Sequence, residues 1–310
     1  MKIKNKIKHL IDVNQLDKED IKQIFNRADF FYKNPISKKY LGKKLVNLFF
    51  ETSTRSRTSF EIASKNLGME VINIDVSSLA LNKKGESEQD TILTLNALKP
   101  DFISIRHKFG GIVEKLASYS KNAAIINAGD GSHAHPTQAL LDSYTIYKAL
   151  KMKGLDDFKD INITITGDII NSRVARSNIK LLSYLGATIT LASIPTLLPK
   201  YWLEKNINIT SDINMAVKNS DVIMILRLQR ERMESSFVTS FSDYYKFCGI
   251  NLDIIKKSKK KPIIMHPGPI NREVELSSEV ADNKEISVIL DQVTNGIAIR
   301  QAVIEKMAEG

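Results

Sequence analysis

The stretch Leu45-Val46-Asn47-Leu48-Phe49-Phe50-Glu51-Thr52-Ser53-Thr54-Arg55-Ser56-Arg57-Thr58-Ser59-Phe60 runs from a short apolar segment directly into a Ser/Thr-led helical pattern. Leu45–Phe50 is almost continuously apolar, as expected of a strand buried on both faces, and residues 54–67 carry a helical period. A strand followed at once by a helix is half of a βαβ unit and points to a parallel sheet. The same grammar recurs outward in both directions. Strands are expected at Val71–Asp75, Phe102–Arg106, Ala124–Asn127, Ile161–Thr166, Thr188–Ala192, Val222–Leu226 and Ile263–His266. Helical stretches lie near 15–31, 88–98, 136–150, 173–185 and 295–308.

Two groups of four strands predict an α/β protein of two domains, each a parallel sheet covered by helices on both faces. The expected division is residues 1–149 plus 291–310 against 150–290. The helix from Pro136 to Leu150 bridges them, Met152–Asp160 is a polar boundary, and the C-terminal helix is expected to pack back on the first domain.

A chain of 310 residues, 43% hydrophobic and 26% charged, has a globular composition and room for two cores. No apolar run reaches the roughly 18–20 residues of a membrane span. The basic start Met1-Lys2-Ile3-Lys4-Asn5-Lys6 is followed by no apolar signal core. The single cysteine, Cys248, excludes an intrachain disulfide and a multi-cysteine metal site. A cytoplasmic location is expected, with no membrane partner. The formal charge of +10 fits nucleic acid, an anionic surface or small anionic substrates. The run Lys256-Lys257-Ser258-Lys259-Lys260-Lys261 reads as a solvated helix end, and no nucleic-acid-binding motif accompanies it. Nucleic acid is therefore not the expected partner.

In open parallel sheets ligands bind beyond the carboxyl ends of the strands, and the unusual clusters of this sequence fall there. Ser53-Thr54-Arg55-Ser56 opens a helix, where backbone N–H groups, the helix dipole, hydroxyls and an arginine suit a phosphate; an ordinary Ser/Thr cap reads equally well. The glycines of a nucleoside-triphosphate loop are missing. In Asn127–Gln138, Pro136 suits a first helical turn, and His135 and Gln138 can face one side. A neutral histidine there donates to a carbonyl or phosphate oxygen, and the glutamine amide recognises an NH₂ group. His133 and His135 as metal ligands lack a third partner. Arg106, Arg173 and Arg227 end or follow three strands, and the guanidinium fork suits carboxylate and phosphate. Gly167-Asp168 lacks the further glycines of a dinucleotide turn. His266-Pro267-Gly268-Pro269 is either a merely rigid turn or a source of carbonyls that accept from an amine.

Taken together, FFETSTRSRTSFE, KKGESEQDT, NAGDGSHAHPTQALLD, RLQRER, IMHPGPINREVE and ILDQVTNGIAIRQAV, in that order, resemble the aspartate carbamoyltransferases, catalytic chains of the aspartate/ornithine carbamoyltransferase superfamily. The resemblance spans almost the whole chain. It implies carbamoyl transfer from carbamoyl phosphate to L-aspartate, early in pyrimidine biosynthesis, with no cofactor and no metal. It makes residues 1–149 plus 291–310 the carbamoyl phosphate-binding domain and 150–290 the aspartate-binding domain.

Position by position, the resemblance implies that Ser53, Thr54, Arg55 and Ser56 cradle the phosphate. Arg106 and His135 hold phosphate and polarise the carbamoyl carbonyl, and Gln138 holds its NH₂. Arg55, Arg106 and His135 are thus the expected catalytic residues. Arg173, Arg227 and Gln229 bind aspartate, and carbonyls of the Gly268-Pro269 loop orient its amine. Lys84 reaches into a neighbouring subunit's site, which implies a homotrimer with active sites at subunit interfaces. A regulatory or dihydroorotase partner is left open by the sequence.

Ser56 stands where the family commonly has threonine, and Ala80 where it usually has a serine. The lost hydroxyl at Ala80 puts efficiency rather than reaction type in question, with Ser78 a candidate substitute. Ornithine carbamoyltransferases carry a cysteine in the His-x-x-Pro loop, absent here, and a cationic acceptor suits two arginines poorly. A catalytically silent homologue is the remaining alternative, against which stands the near-complete set of substrate residues.

Overall fold

The computed structural model describes residues 7–75, 85–229 and 240–309. The chain forms two compact units, one from Met1–Leu141 with Thr294–Gly310 and one from Asp142–Val293. In the first, β1 (Lys44–Phe49), β2 (Glu70–Asp75), β3 (Phe102–His107) and β4 (Ala124–Asp130) make a parallel sheet in the order β2-β1-β3-β4. Helices α1 (Lys18–Lys33), α2 (Thr54–Asn66), α3 (Glu88–Ala97) and α4 (Ile112–Ser118) accompany these strands. Val46, Leu48, Ile103, Ile105 and Ile125 pack against Ile92 and Leu95 of α3 and Val113 and Leu116 of α4. Truncating any one of the buried leucines or isoleucines among them to alanine costs about 2–5 kcal/mol.

A polar column crosses this apolar sheet. Ser104 Oγ donates to Asn47 Oδ1 at 2.5 Å, Asn47 Nδ2 donates to Asn73 Oδ1 at 2.8 Å, and Asn73 Nδ2 donates to Glu61. Asn47 is the register partner of both Ser104 and Asn73, so the column exists in one strand alignment only. A slip of one residue would leave the fully buried Asn47 and Ser104 unpaired in the core, and the column therefore specifies register.

In the second unit β5 (Asn162–Thr166), β6 (Thr188–Ala192), β7 (Ile207–Thr210), β8 (Val222–Ile225) and β9 (Ile263–Met265) form a parallel sheet in the order β7-β6-β5-β8-β9. A long helix α5 (Pro136–Met152) precedes it and contributes to both units. Helices α6 (Arg173–Leu185), α7 (Ile213–Val217), α8 (Phe241–Cys248), α9 (Leu252–Lys256) and α10 (Ser278–Ala281) follow in sequence, and α11 (Ile289–Glu309) ends the chain. Ala192, Val217, Ile223, Ile225, Ile264 and Leu276 belong to one core. The C-terminal part of α11 is tied to α1 within the first unit by Lys306–Asp20 at 2.8 Å and by the Arg27–Glu305 ion pair.

All eight expected strands form, but the second sheet has a ninth, β7, that the sequence pattern did not reveal. It is four residues long at the sheet edge and only partly buried, so its apolar signal is weak. Helix α11 starts at Ile289, ahead of the expected 295, and carries Gly296 in its interior. A Cβ on Gly296 would lie 3.2 Å from Leu141 Cδ2, so this glycine marks close packing rather than a helix end. Among the described residues no helix is long and apolar enough to cross a membrane.

The strand orders create two switch points. The chain leaves β1 for β2 on one side and returns to β3 on the other; β5 is likewise flanked by β6 and β8. Ligands favour the crevice beyond the strand ends at such points.

Candidate active site

In the first unit the switch point lies between β1 and β3. Helix α2 begins right after β1, with Ser53 at its N-cap, and the first intrahelical bond is Arg57 N–H to Ser53 O at 3.2 Å. The preceding amides of the first turn have no partner inside the helix, and the helix dipole adds positive potential. Ser53 holds the cap position without a capping bond from its hydroxyl. Ser172 and Ser87, by contrast, accept from an amide of their own helices. Thr54 and Arg55 are exposed, and Ser56 is buried.

Arg106 is the penultimate residue of β3, and its side chain is only 12% exposed. Its Nη2 reaches Glu51 Oε1 at 2.7 Å and its Nη1 donates to Ala128 O at 3.2 Å. The carbonyl of Ala128 is available because the β3–β4 register shifts there: Ile105 faces Asn127, and His107 faces Asp130. Such irregularities re-aim groups at strand ends. His107 is buried, with Nε2 on Glu88 at 2.8 Å and Nδ1 accepting from the Phe109 N–H. It therefore anchors the strand end.

At the last position of β4, Asp130 organises the loop that delivers His135. Fully buried, it accepts from Gly111 N–H at 2.7 Å, Ala134 N–H at 3.0 Å and Asn127 Nδ2 at 2.9 Å. Gly131, at φ +46°, passes so close to Gly110 that a Cβ would sit 2.4 Å from its nitrogen. His135 is buried just before Pro136, the first residue of α5, and Gln138 is partly buried one turn in. His133 Nδ1 lies 3.1 Å from Asp130 instead. Among the described residues no group of three or more His, Cys, Asp or Glu is placed to hold a metal ion. The order β1-β3-β4 thus brings Ser53–Ser56, Arg106, His135 and Gln138 to one edge of one sheet.

In the second unit the switch point lies between β5 and β8. Gly167 follows β5 at φ +115°, and a Cβ there would come within 2.2 Å of Leu226 O, at the end of β8. Only glycine allows these two strand ends to lie so close. Asp168, fully buried, accepts from Asn171 Nδ2 at 3.0 Å and from the Gln229 N–H at 3.4 Å. Gln229 Nε2 donates to Asn171 O at 3.2 Å. Arg173 is buried at the first position of α6, and Arg227 is partly buried at the end of β8. Gly268, at φ +67°, and exposed Pro269 follow β9, next to β8 in the sheet, and are joined by a cis peptide bond. Arg173, Arg227, Gln229 and the Gly268-Pro269 turn therefore share the edge of β5, β8 and β9.

Two structural residues escaped the reading of the sequence: Glu51, which meets Arg106, and Asp168, which joins the β5 and β8 loops. Both are acids beside strand ends, and only the strand order reveals their partners. Lys84 and Ala80 lie outside the described residues, as do Arg230, Glu231 and Arg232 of the RLQRER motif.

Residues 8–148 match the family model of the aspartate/ornithine carbamoyltransferase carbamoyl-P binding domain, and residues 159–307 match that of the Asp/Orn binding domain. The chain belongs to the aspartate/ornithine carbamoyltransferase family. The chain is 43% identical over 305 residues to the aspartate carbamoyltransferase catalytic subunit of Agrobacterium fabrum, covering 97% of this chain and 95% of that one. Among solved structures it is similar to the aspartate transcarbamoylase catalytic subunit of M. jannaschii, at 34% identity and a TM-score of 0.82, covering 97% and 98% of the two chains. It is also similar to the Trypanosoma cruzi aspartate transcarbamoylase in complex with N-(phosphonacetyl)-L-aspartic acid, at 30% identity and a TM-score of 0.85, covering 96% and 95%. The two parallel α/β units of this chain accord with the two domains of the carbamoyltransferase family.

Proposed function

We propose that this carbamoyltransferase acts as an aspartate carbamoyltransferase, converting carbamoyl phosphate and L-aspartate to N-carbamoyl-L-aspartate and phosphate, an early step of de novo pyrimidine biosynthesis. What supports the reading is that groups suited to anions stand at both switch points. A helix N-terminus with Ser53, Thr54, Arg55, Ser56 and Arg106 stands at one; Arg173 and Arg227 stand at the other. The first set suits a phosphate, and two guanidinium forks suit an acceptor with two carboxylates.

In this reading the phosphate sits on the start of α2 and Arg55, and Gln138 takes the carbamoyl NH₂. Arg106 and His135 draw charge onto the carbamoyl oxygen as the neutral amine of aspartate attacks the carbon. The new C–N bond forms, the C–O bond to phosphate breaks, and the departing phosphate takes the amine proton. Positioning and electrostatic stabilisation of the tetrahedral oxyanion supply the acceleration. Arg173, Arg227 and Gln229 hold the aspartate, and carbonyls of the Gly268-Pro269 loop orient its amine. Lys84 is assigned to a neighbouring subunit's site, which makes the assembly a homotrimer with active sites at its subunit interfaces, and the setting the cytoplasm.

The test is product formation from carbamoyl phosphate with L-aspartate and L-ornithine as parallel acceptors. Product with aspartate alone is expected. Product with ornithine alone would overturn the acceptor assignment, and none with either would favour a silent homologue.

A further inference from the structure

Directly after β9, His266 turns its ring into the interior of the second unit and is fully buried. The Gly268 N–H donates to His266 Nδ1 at 2.8 Å, and Nε2 lies 3.2 Å from Glu275 Oε1. A lone pair is required on Nδ1, so the ring proton sits on Nε2 and is donated to Glu275. Glu275, also fully buried, accepts the Asn271 N–H on the same oxygen. The His266 N–H donates to Gln292 Oε1 at 2.9 Å, and Gln292 Nε2 donates to Asp142 Oδ1 at 2.7 Å. Asp142 accepts in turn from Asn178 Nδ2 at 2.8 Å. Three peptide groups of one short loop, at His266, Gly268 and Asn271, are thus fixed by buried side chains.

Prolines alone would stiffen this turn. Burying an imidazole against a carboxylate is unfavourable without further bonds, and here the N–H groups of Gly268 and Asn271 supply them, which ties the pair to the backbone of the turn. We infer that His266 and Glu275 are positioning residues that aim the carbonyls of the Pro267-Gly268-Pro269 turn at the acceptor's amine. The link is geometric. Glu275 sets the tautomer of His266, and that tautomer holds the Gly268 N–H inward. In the trans peptide joining Pro267 to Gly268, C=O and N–H point in opposite directions, so the Pro267 carbonyl is turned away from the buried ring. The inference rests on the proposed role of this loop toward the amine of aspartate.

The test compares His266→Asn with His266→Gln in the full-length chain. Asparagine places an acceptor oxygen close to the position of Nδ1; glutamine keeps a donor for Glu275 but puts a methylene there. His266→Gln is expected to raise the aspartate KM roughly ten-fold or more, the effect of losing one buried acceptor, while carbamoyl phosphate binding stays as in the parent. His266→Asn should recover most of that loss. Glu275→Gln, which keeps an acceptor oxygen, should likewise outperform Glu275→Leu, and this pair decides if His266→Gln fails to fold. Aspartate kinetics unchanged in His266→Gln, or equal losses in the Asn and Gln variants, would overturn the inference and leave the reaction assignment standing. A parent that transfers nothing to aspartate removes the reaction assignment and the inference with it. Nitrogen-15 spectra of the imidazoles supply an independent check: a proton on Nδ1 of His266 refutes the proposed chain of contacts.

Discussion

Arg106 and Glu51 meet at 2.7 Å across the ends of the neighbouring strands β3 and β1, with both side chains largely buried. The carboxylate balances an arginine that would otherwise stand desolvated, and it fixes one edge of the guanidinium while Ala128 O fixes another. Removing Glu51 should therefore misplace Arg106 without abolishing the fold. Glu51→Ala is expected to lower kcat roughly ten- to a hundred-fold, since a displacement of about 1 Å at a reacting group costs that much. Steady-state kinetics with saturating aspartate measure it, and a kcat equal to that of the parent would sever Arg106 from the chemistry.

Arg55 is exposed at the start of α2, so its replacement should cost little stability. Arg55→Ala is expected to reduce turnover roughly a hundred-fold or more, the scale of losing one preorganised donor to a developing charge. Melting temperature and kcat measured on the same sample separate the two effects. A folded variant with parental turnover would remove the phosphate cradle.

At the other switch point Arg227 is assigned to a carboxylate of aspartate. Lysine cannot reproduce the planar fork, so Arg227→Lys should raise the aspartate KM about ten-fold or more and leave carbamoyl phosphate affinity unchanged. A shift confined to carbamoyl phosphate would place Arg227 on the wrong substrate.

Gly167 has no space for a side chain, because a Cβ would meet Leu226 O at 2.2 Å, and its φ of +115° disfavours any other residue. Gly167→Ala combines strain with a backbone clash and is expected to cost about 2–4 kcal/mol. Urea denaturation reports the loss. Parental stability would mean that the ends of β5 and β8 can separate freely.

Cys248 is buried, and burial pushes its thiol up from the usual 9 to about 11. Burial likewise raises Tyr244 well above the ordinary tyrosine value. Both groups resist ionisation in the folded chain, so their contribution is complete below the unfolded pKa. It is lost as pH rises through the folded one: for Cys248, between about 9 and 11. Unfolding free energy should decline over that window. At pH 8 an aromatic disulfide reagent should react slowly with the native chain and rapidly in guanidinium; fast reaction of native protein would contradict the burial.

Much of the candidate site was legible in the chain because each of its pieces is local. A strand and the loop that follows it are contiguous, so Ser53–Ser56 at a helix start, His135 before Pro136, and Arg173 after Gly167-Asp168 announce themselves by spacing. Other parts were hidden. Ser53 reads as a capping residue, yet its hydroxyl makes no capping bond. The edge strand β7 and the short helices α7, α9 and α10 bury too few residues to leave a periodic signal.

By itself the sequence determined the class of the protein: apolar strands alternating with helices, loops that gather arginines and hydroxyls, and one cysteine that excludes a disulfide framework. These are properties of periods two and 3.6 and of neighbours within a few residues, which chain chemistry specifies directly. Tertiary structure alone decided that β1 lies between β2 and β3, that β5 lies between β6 and β8, and hence where the switch points fall. It alone paired Glu51 with Arg106 across 55 residues and Asp168 with Gln229 across 61. Such pairings depend on strand order and register, which many distant contacts settle together and no single segment encodes.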